Sequence, residues 1–147
     1  MKIIGITNAI HDIVEIEWLK QSETVHRQLR PALPIDYVGR MRAVFGSGAD
    51  MAVCVRDDKV CGITVFRIVE KTFSGRELYC DDLITDEALR STGVGHALIR
   101  YMETIATERD CDCLALDSGT QRHQAHKFYF REGLTVPAFH FSKPLKK

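Results

Sequence analysis

The stretch Ala88–Arg100, ALRSTGVGHALIR, places an arginine, two small hydroxyl residues and a Gly-Val-Gly turn directly before an apolar helix. Free backbone N–H groups at a helix start point outward and carry the positive end of the helix dipole. Glycines let a ligand approach the backbone closely, and Arg90 can add a charge-assisted, bidentate contact. Together these make an anion cradle. The same residues also read as small side chains packing a helix start, and the turn alone does not choose between the two. Two phosphate motifs are excluded. The sequence holds no G-x-x-x-x-G-K-[ST], and the third glycine of a dinucleotide fingerprint is replaced by Leu98.

Other residues with chemical potential lie outside that turn. Asp81 and Asp82 end the run ELYCDD, and strand alternation sends them to opposite faces. His123 and His126 stand three apart on one helix face, with His140 further on. No carboxylate or cysteine at matching spacing joins them, so no metal is expected. The five cysteines fit no zinc template, because Cys111-Asp112-Cys113 lacks the C-x-x-C separation and a second ligand pair. Four of them lie in strand-like apolar runs and read as reduced, buried thiols.

The elements that must position these groups come from periodicity. The 147 residues suffice for one domain, 1–147, with a real core. Residues 2–7 read as a strand, and residues 11–22 as a helix with Ile13, Ile16, Trp18 and Leu19 on its apolar side. Residues 30–48 carry two prolines and then a second helix. Residues 50–70 read as two strands around Asp57–Asp58–Lys59, and ELYCDDLIT as a third. The clearest helix runs from about Gly93 to Arg109, with Val94, Ala97, Leu98, Tyr101, Met102 and Ile105 at three/four spacing. CDCLALD is a short strand. QRHQAHKFYFREG is a helix stopped by Gly133, and LTVPAFHFSKPL returns as a strand, part of it demoted by Pro137. Hairpins first and a crossover later predict an α+β fold around a mixed sheet.

Twenty basic and twenty acidic residues cancel, so no global field draws the chain to nucleic acid or a membrane. No apolar run reaches spanning length, and the N-terminus lacks the apolar core of a signal peptide, so a cytoplasmic location is expected.

The segment LITDEALRSTGVGHALI resembles the acetyl-CoA signature of the GNAT superfamily of N-acetyltransferases, [R/Q]-x-x-G-x-[G/A], here Arg90-Ser91-Thr92-Gly93-Val94-Gly95. AHKFYFREGL resembles the family's late helix pattern A-x-x-x-Y-x-x-x-G-[F/L], with Ala125, Tyr129, Gly133 and Leu134 in place. The element order agrees along essentially the whole chain. The resemblance implies the GNAT-type acyl-CoA N-acyltransferase fold. This is a central, mostly antiparallel mixed sheet of about six or seven strands with about four helices, splayed between the strands 78–85 and 111–117. It implies acetyl-CoA as cosubstrate, with the pyrophosphate on the N–H groups of Arg90, Ser91, Thr92, Gly93, Val94, Gly95 and His96. Ala97 and Ser118 belong to the same site. The pantetheine arm would lie along Leu83, Ile84 and Thr85 like an added strand.

Acetyl transfer from a thioester to an amine requires a neutral amine, a donor for the tetrahedral oxyanion and a proton for the leaving thiolate. The family's acid before the strand's apolar part falls on Asp82, which reads as base, acting directly or through water, or as an anchor for the amine. The helix tyrosine aimed at the CoA sulfur falls on Tyr129, and a backbone N–H near Leu83 or Ile84 serves the oxyanion. One departure is Arg122, where many members carry asparagine. The run from Arg122 to Leu145 resembles a small-molecule branch that includes aminoalkylphosphonate N-acetyltransferase, so a small amine is the expected partner. Acetylation of a protein lysine or N-terminus, and a non-catalytic CoA sensor, are the alternatives. By the same analogy residues 22–45 wall the acceptor site, and the edge near Phe139–Phe141 is a homodimer contact.

Overall fold

The computed structural model describes residues 1–146. Strand β1 (Lys2–Gly5) leads to helices α1 (Ile16–Leu29) and α2 (Tyr37–Gly46). Strands β2 (Ala49–Arg56), β3 (Lys59–Lys71) and β4 (Gly75–Thr85) follow. A short 3-10 turn (Glu87–Leu89) then precedes helix α3 (Val94–Glu108), strand β5 (Cys113–Leu116) and helix α4 (His123–Arg131).

The sheet order is β1-β2-β3-β4-β5. The first three pairings are antiparallel, and β4 pairs with β5 in parallel. Turn chemistry sets these hairpins. Asp57 and Asp58 both take positive φ, 51° and 58°, the twist that a two-residue loop needs to join right-twisted strands. Gly75 opens β4 at φ 74°, in a conformation that costs glycine nothing.

Alternation along the strands divides the core between two faces. Met41, Phe45, Val53, Ile63 and Val65 pack with Leu19 and Val25 of α1 on one side. Phe66, Leu78 and Cys80 pack with Ile99, Met102 and Ala106 of α3 on the other. Helix α1 is thus laid on β3 and β4 from one side, and α3 from the opposite side. Helix α4 buries no residue completely and docks through Phe128.

Three expectations are corrected. The sheet has five strands, not six or seven. The C-terminal run expected as a strand forms none among the described residues, and Phe139, Phe141 and Leu145 lie exposed. Pro137 and Pro144 have no N–H to donate to a ladder, and β5 is only four residues long. The first helix begins at Ile16 and extends to Leu29, later than its apolar periodicity suggested. Ile13 instead forms a bridge with Thr7.

The start of α3 is seated on β3 at Gly62. A Cβ there would clash with Val94 and come within 3.2 Å of both the Ile84 carbonyl and Leu98. Gly62→Ala should therefore destabilise the fold by about 1–3 kcal/mol, as overpacking does. A lowered urea midpoint at unchanged slope is expected, and an unchanged midpoint would contradict this seating.

Candidate active site

Strand β4 carries a bulge. Asp82 stands opposite Val65 and Cys80 opposite Phe66, which leaves Asp81 as the extra residue. The bulge cancels the alternation expected of the two aspartates, and both turn to the side of α1 and α2. Asp81 takes a two-pronged contact from Arg67, which also donates to Ser47 at the end of α2. Asp82 accepts from Arg30 Nε at 2.8 Å and lies 2.7 Å from His26 Nε2. Burial alone would raise the Asp82 carboxyl. The hydrogen bond and charge of His26, and then those of Arg30, outweigh it and hold the group below its ordinary range.

On its other edge β4 pairs with β5 only from Glu77↔Cys113 to Cys80↔Leu116. Beyond Cys80 the strands part, as the expected splay requires. The opening is a cavity of about 410 Å³ whose lining includes Leu83, Ile84, Arg90, Ser118, Arg122 and Tyr129. Leu83 to Thr85 stay laddered to β3 alone, leaving the other edge of β4 free for an added extended chain.

The glycine turn leads away from Arg90, which lies on the cavity wall. Ser91 takes φ 64° and Gly93 φ 90°, and Gly93 precedes the first residue of α3 with no side-chain cap on the helix. Its leading N–H groups are left without an intrahelical acceptor, the condition for binding an anion. Val94 is buried, whereas Ser91, Thr92 and His96 are exposed. Gly95 permits the crossing of α4, since a Cβ would lie 3.0 Å from the Phe128 ring. His96 Nδ1 lies 2.8 Å from Glu132 and ties α3 to the end of α4. Arg90 and Arg122 have no ion-pair partner among the described residues.

Helix α4 carries Tyr129 to the cavity wall. Burial raises its phenol and the neighbouring Cys80 adds to this, against a smaller opposing effect of Arg122. The hydroxyl thus keeps its proton through the neutral range, as a donor to a leaving thiolate must. Ser118 Oγ is buried with no hydrogen-bond partner among the described residues. A buried hydroxyl without a partner is costly, so it awaits one. These features fit acetyl-CoA: donors for a pyrophosphate, a free strand edge for pantetheine, and a hydroxyl and phenol near the reacting end.

Asp82 does not line this cavity, although Asp81 does. Its carboxylate is held by His26 of α1 and by Arg30 just beyond it; Arg30 lies in the segment 22–45 expected to wall the acceptor site, whereas His26 was not singled out by the sequence reading. The available signal was the i, i+4 spacing of Ser22, His26 and Arg30, a polar stripe on a helix whose neighbours are apolar. Among the arginines of segment 22–45, Arg27 donates to the carbonyls of Leu33 and Pro34 and fixes the loop between α1 and α2.

The three late histidines have local partners. His126 Nε2 lies 2.8 Å from the Gly119 carbonyl, His140 pairs with Asp117, and His123 packs edge-on to His126. No group of three or more metal-ligating side chains occurs among the described residues. The five cysteines are free, with Cys54, Cys61 and Cys80 buried. No helix is long and apolar enough to cross a membrane among the described residues.

Comparison with known proteins agrees with this geometry. A sequence profile described as the acetyltransferase (GNAT) family matches residues 10–133. An uncharacterized N-acetyltransferase of Bacillus subtilis, YhdJ, is 30% identical over 135 residues, covering 88% of this chain and 92% of that protein. Two solved structures share the fold. The aminoglycoside acetyltransferase AAC(6')-Iy, solved with a CoA-containing bisubstrate analogue, aligns at TM-score 0.81 and 15% identity over 99% of this chain and 98% of its own. A ribosomal-protein-alanine N-acetyltransferase from Brucella melitensis aligns at 0.80 and 15% identity over 99% of this chain and 100% of its own. The profile spans most of the chain, and the chain belongs to the GNAT family as an acetyl-CoA-dependent N-acetyltransferase.

Proposed function

We propose that the protein transfers the acetyl group of acetyl-CoA to the primary amine of a small molecule, by direct attack in a ternary complex. The observation that carries this reading is the cavity between the parted ends of β4 and β5. It joins the free β4 edge, Arg90, the unpartnered Ser118 hydroxyl and Tyr129 in one space of about 410 Å³. That volume falls in the range of small-ligand pockets. The likeness of the run from Arg122 to Leu145 to the small-molecule branch favours a small amine over a peptide.

In this reading Arg90 to His96 hold the pyrophosphate, Leu83 to Thr85 pair with pantetheine, and Ala97 and Ser118 complete the cosubstrate site. A backbone N–H near Leu83 or Ile84 meets the oxyanion. Tyr129 protonates the departing thiolate. Asp82 receives the amine proton or anchors the amine. Of the two solved neighbours, one is named for acetylation of an aminoglycoside and the other for acetylation of a ribosomal-protein alanine.

The direct test is release of CoA thiol over a panel of amines, aminophosphonates, polyamines and peptides. Turnover with a small amine and none with peptides is expected. Turnover confined to peptides would contradict the acceptor class. Binding of acetyl-CoA with no turnover on any member would favour a sensor. Tyr129→Phe should lower kcat by about 100-fold, the scale of positioned acid catalysis, with the acetyl-CoA Kd nearly unchanged. Unchanged turnover would remove Tyr129 as the acid.

A further inference from the structure

Behind Asp82 runs a chain of four buried or half-buried contacts. Ser22 Oγ donates to the Leu19 carbonyl at 2.6 Å, and lies 3.1 Å from Tyr37 Oη. Tyr37 Oη lies 2.8 Å from His26 Nδ1, and His26 Nε2 lies 2.7 Å from Asp82 Oδ2. Ser22 and His26 are 0% and 1% exposed, so water does not complete these contacts.

The direction of the chain is fixed at its far end. A carbonyl oxygen only accepts, so the single Ser22 proton goes to Leu19. Ser22 Oγ must then accept the Tyr37 proton. Tyr37 Oη, having given its proton, must accept from His26 Nδ1–H. Nδ1 therefore carries a proton in every state of the chain, and Nε2 is the nitrogen that gains or loses one. At 2.7 Å from a carboxylate oxygen, a bare Nε2 would set lone pair against lone pair, so that contact is satisfied when one proton lies in it. Four contacts need four protons; the two hydroxyls supply two and the imidazole must supply or share the others.

We propose that His26 is a positioning residue that acts through Asp82, with Leu19, Ser22 and Tyr37 holding its tautomer so that Nε2 exchanges a proton with the carboxylate. This rests on the reading above, in which Asp82 handles the amine proton. Loss to solvent of the proton shared by Nε2 and Asp82 leaves that contact unsatisfied, and the ammonium substrate then restores it by yielding one proton through Asp82. The neutral amine attacks the thioester carbonyl, the C–N bond forms and the C–S bond breaks. The thiolate takes the Tyr129 proton, and the Tyr129 phenolate takes the second amine proton. The proton on Nε2 leaves to solvent before the next turnover.

The groups around the chain bear on its proton. On α1 these are Glu23 and Arg27, with Arg30 capping its end, on α2 Tyr37, on β3 Arg67 through its pair with Asp81, and on β4 Asp81 and Asp82. Burial pushes the Tyr37 phenol up to about 12, so Tyr37 keeps its proton while relaying the polarity.

The test is a pH titration of protein labelled with 15N at its six histidines, His26 being assigned by its loss in His26→Gln. His26 Nδ1 should keep the shift of a protonated nitrogen throughout, with Nε2 alone moving. In Tyr37→Phe the tautomer is released and the proton should move to Nε2. A neutral His26 with bare Nδ1 in the unsubstituted protein would overturn the proposal, whether or not an acceptor amine has been found. With an active amine in hand, His26→Gln keeps an N–H toward Asp82 but exchanges no proton. It should lower kcat/KM roughly tenfold or more and flatten the pH–rate profile, with acetyl-CoA still raising the melting temperature as the check on folding. A profile unchanged in both His26→Gln and Tyr37→Phe would also overturn it. Failure of the unsubstituted protein to acetylate any amine would instead refute the parent reading and leave the NMR result standing.

Discussion

Strand β4 is bonded to β3 along its whole length but to β5 at only four positions, Glu77 to Cys80. Where the second ladder stops, the backbone of Leu83 to Thr85 is left with one side satisfied and the other open. An open strand edge inside a fold is a liability unless something pairs with it. Here it borders a cavity rather than bulk surface, with Arg90 and Tyr129 on its wall. Holding the two strands apart is what opens the cavity, and the surrounding elements maintain that separation. Helix α3 is seated against Gly62 on one side of the sheet, and α1 covers β4 from the other.

The bulge at Asp81 adds a second irregularity to the same strand. One extra residue in β4 turns two adjacent carboxylates toward α1 and α2, where Arg67, Arg30 and His26 receive them. Bringing these charges together under partial burial is costly unless every donor and acceptor is matched. Asp82 is matched on both oxygens, and His26 on both nitrogens. The cavity and the bonded chain behind it thus divide the labour. In the proposed reading the first holds the cosubstrate, and the second sets the protonation of Asp82.

Much of this was legible along the chain. The G-V-G turn, the three/four spacing of α3 and the stop at Gly133 all reflect local backbone chemistry. Gly93 and Gly133 indeed take φ of 90° each. Local patterns failed where the deciding contact was distant. Nothing near Asp82 in the sequence announces His26, 56 residues earlier, or the bulge that turns Asp81 to the same side. The tail from Leu134 carries strand-like residues, yet two prolines and a four-residue neighbour give it no ladder to join. Tyr129 was picked out by the resemblance to the family's late helix pattern, and α4 does bring it to the cavity wall.

We propose that acetyl-CoA lies with its pyrophosphate on the start of α3 and its pantetheine along the free edge of β4. Amide hydrogen exchange with and without acetyl-CoA tests this most directly. Bound in this way, acetyl-CoA should slow exchange at Ser91 to Ala97 and at Leu83 to Thr85, with little change in β1 and β2. Protection elsewhere, with those two segments unaffected while acetyl-CoA is bound, would contradict it.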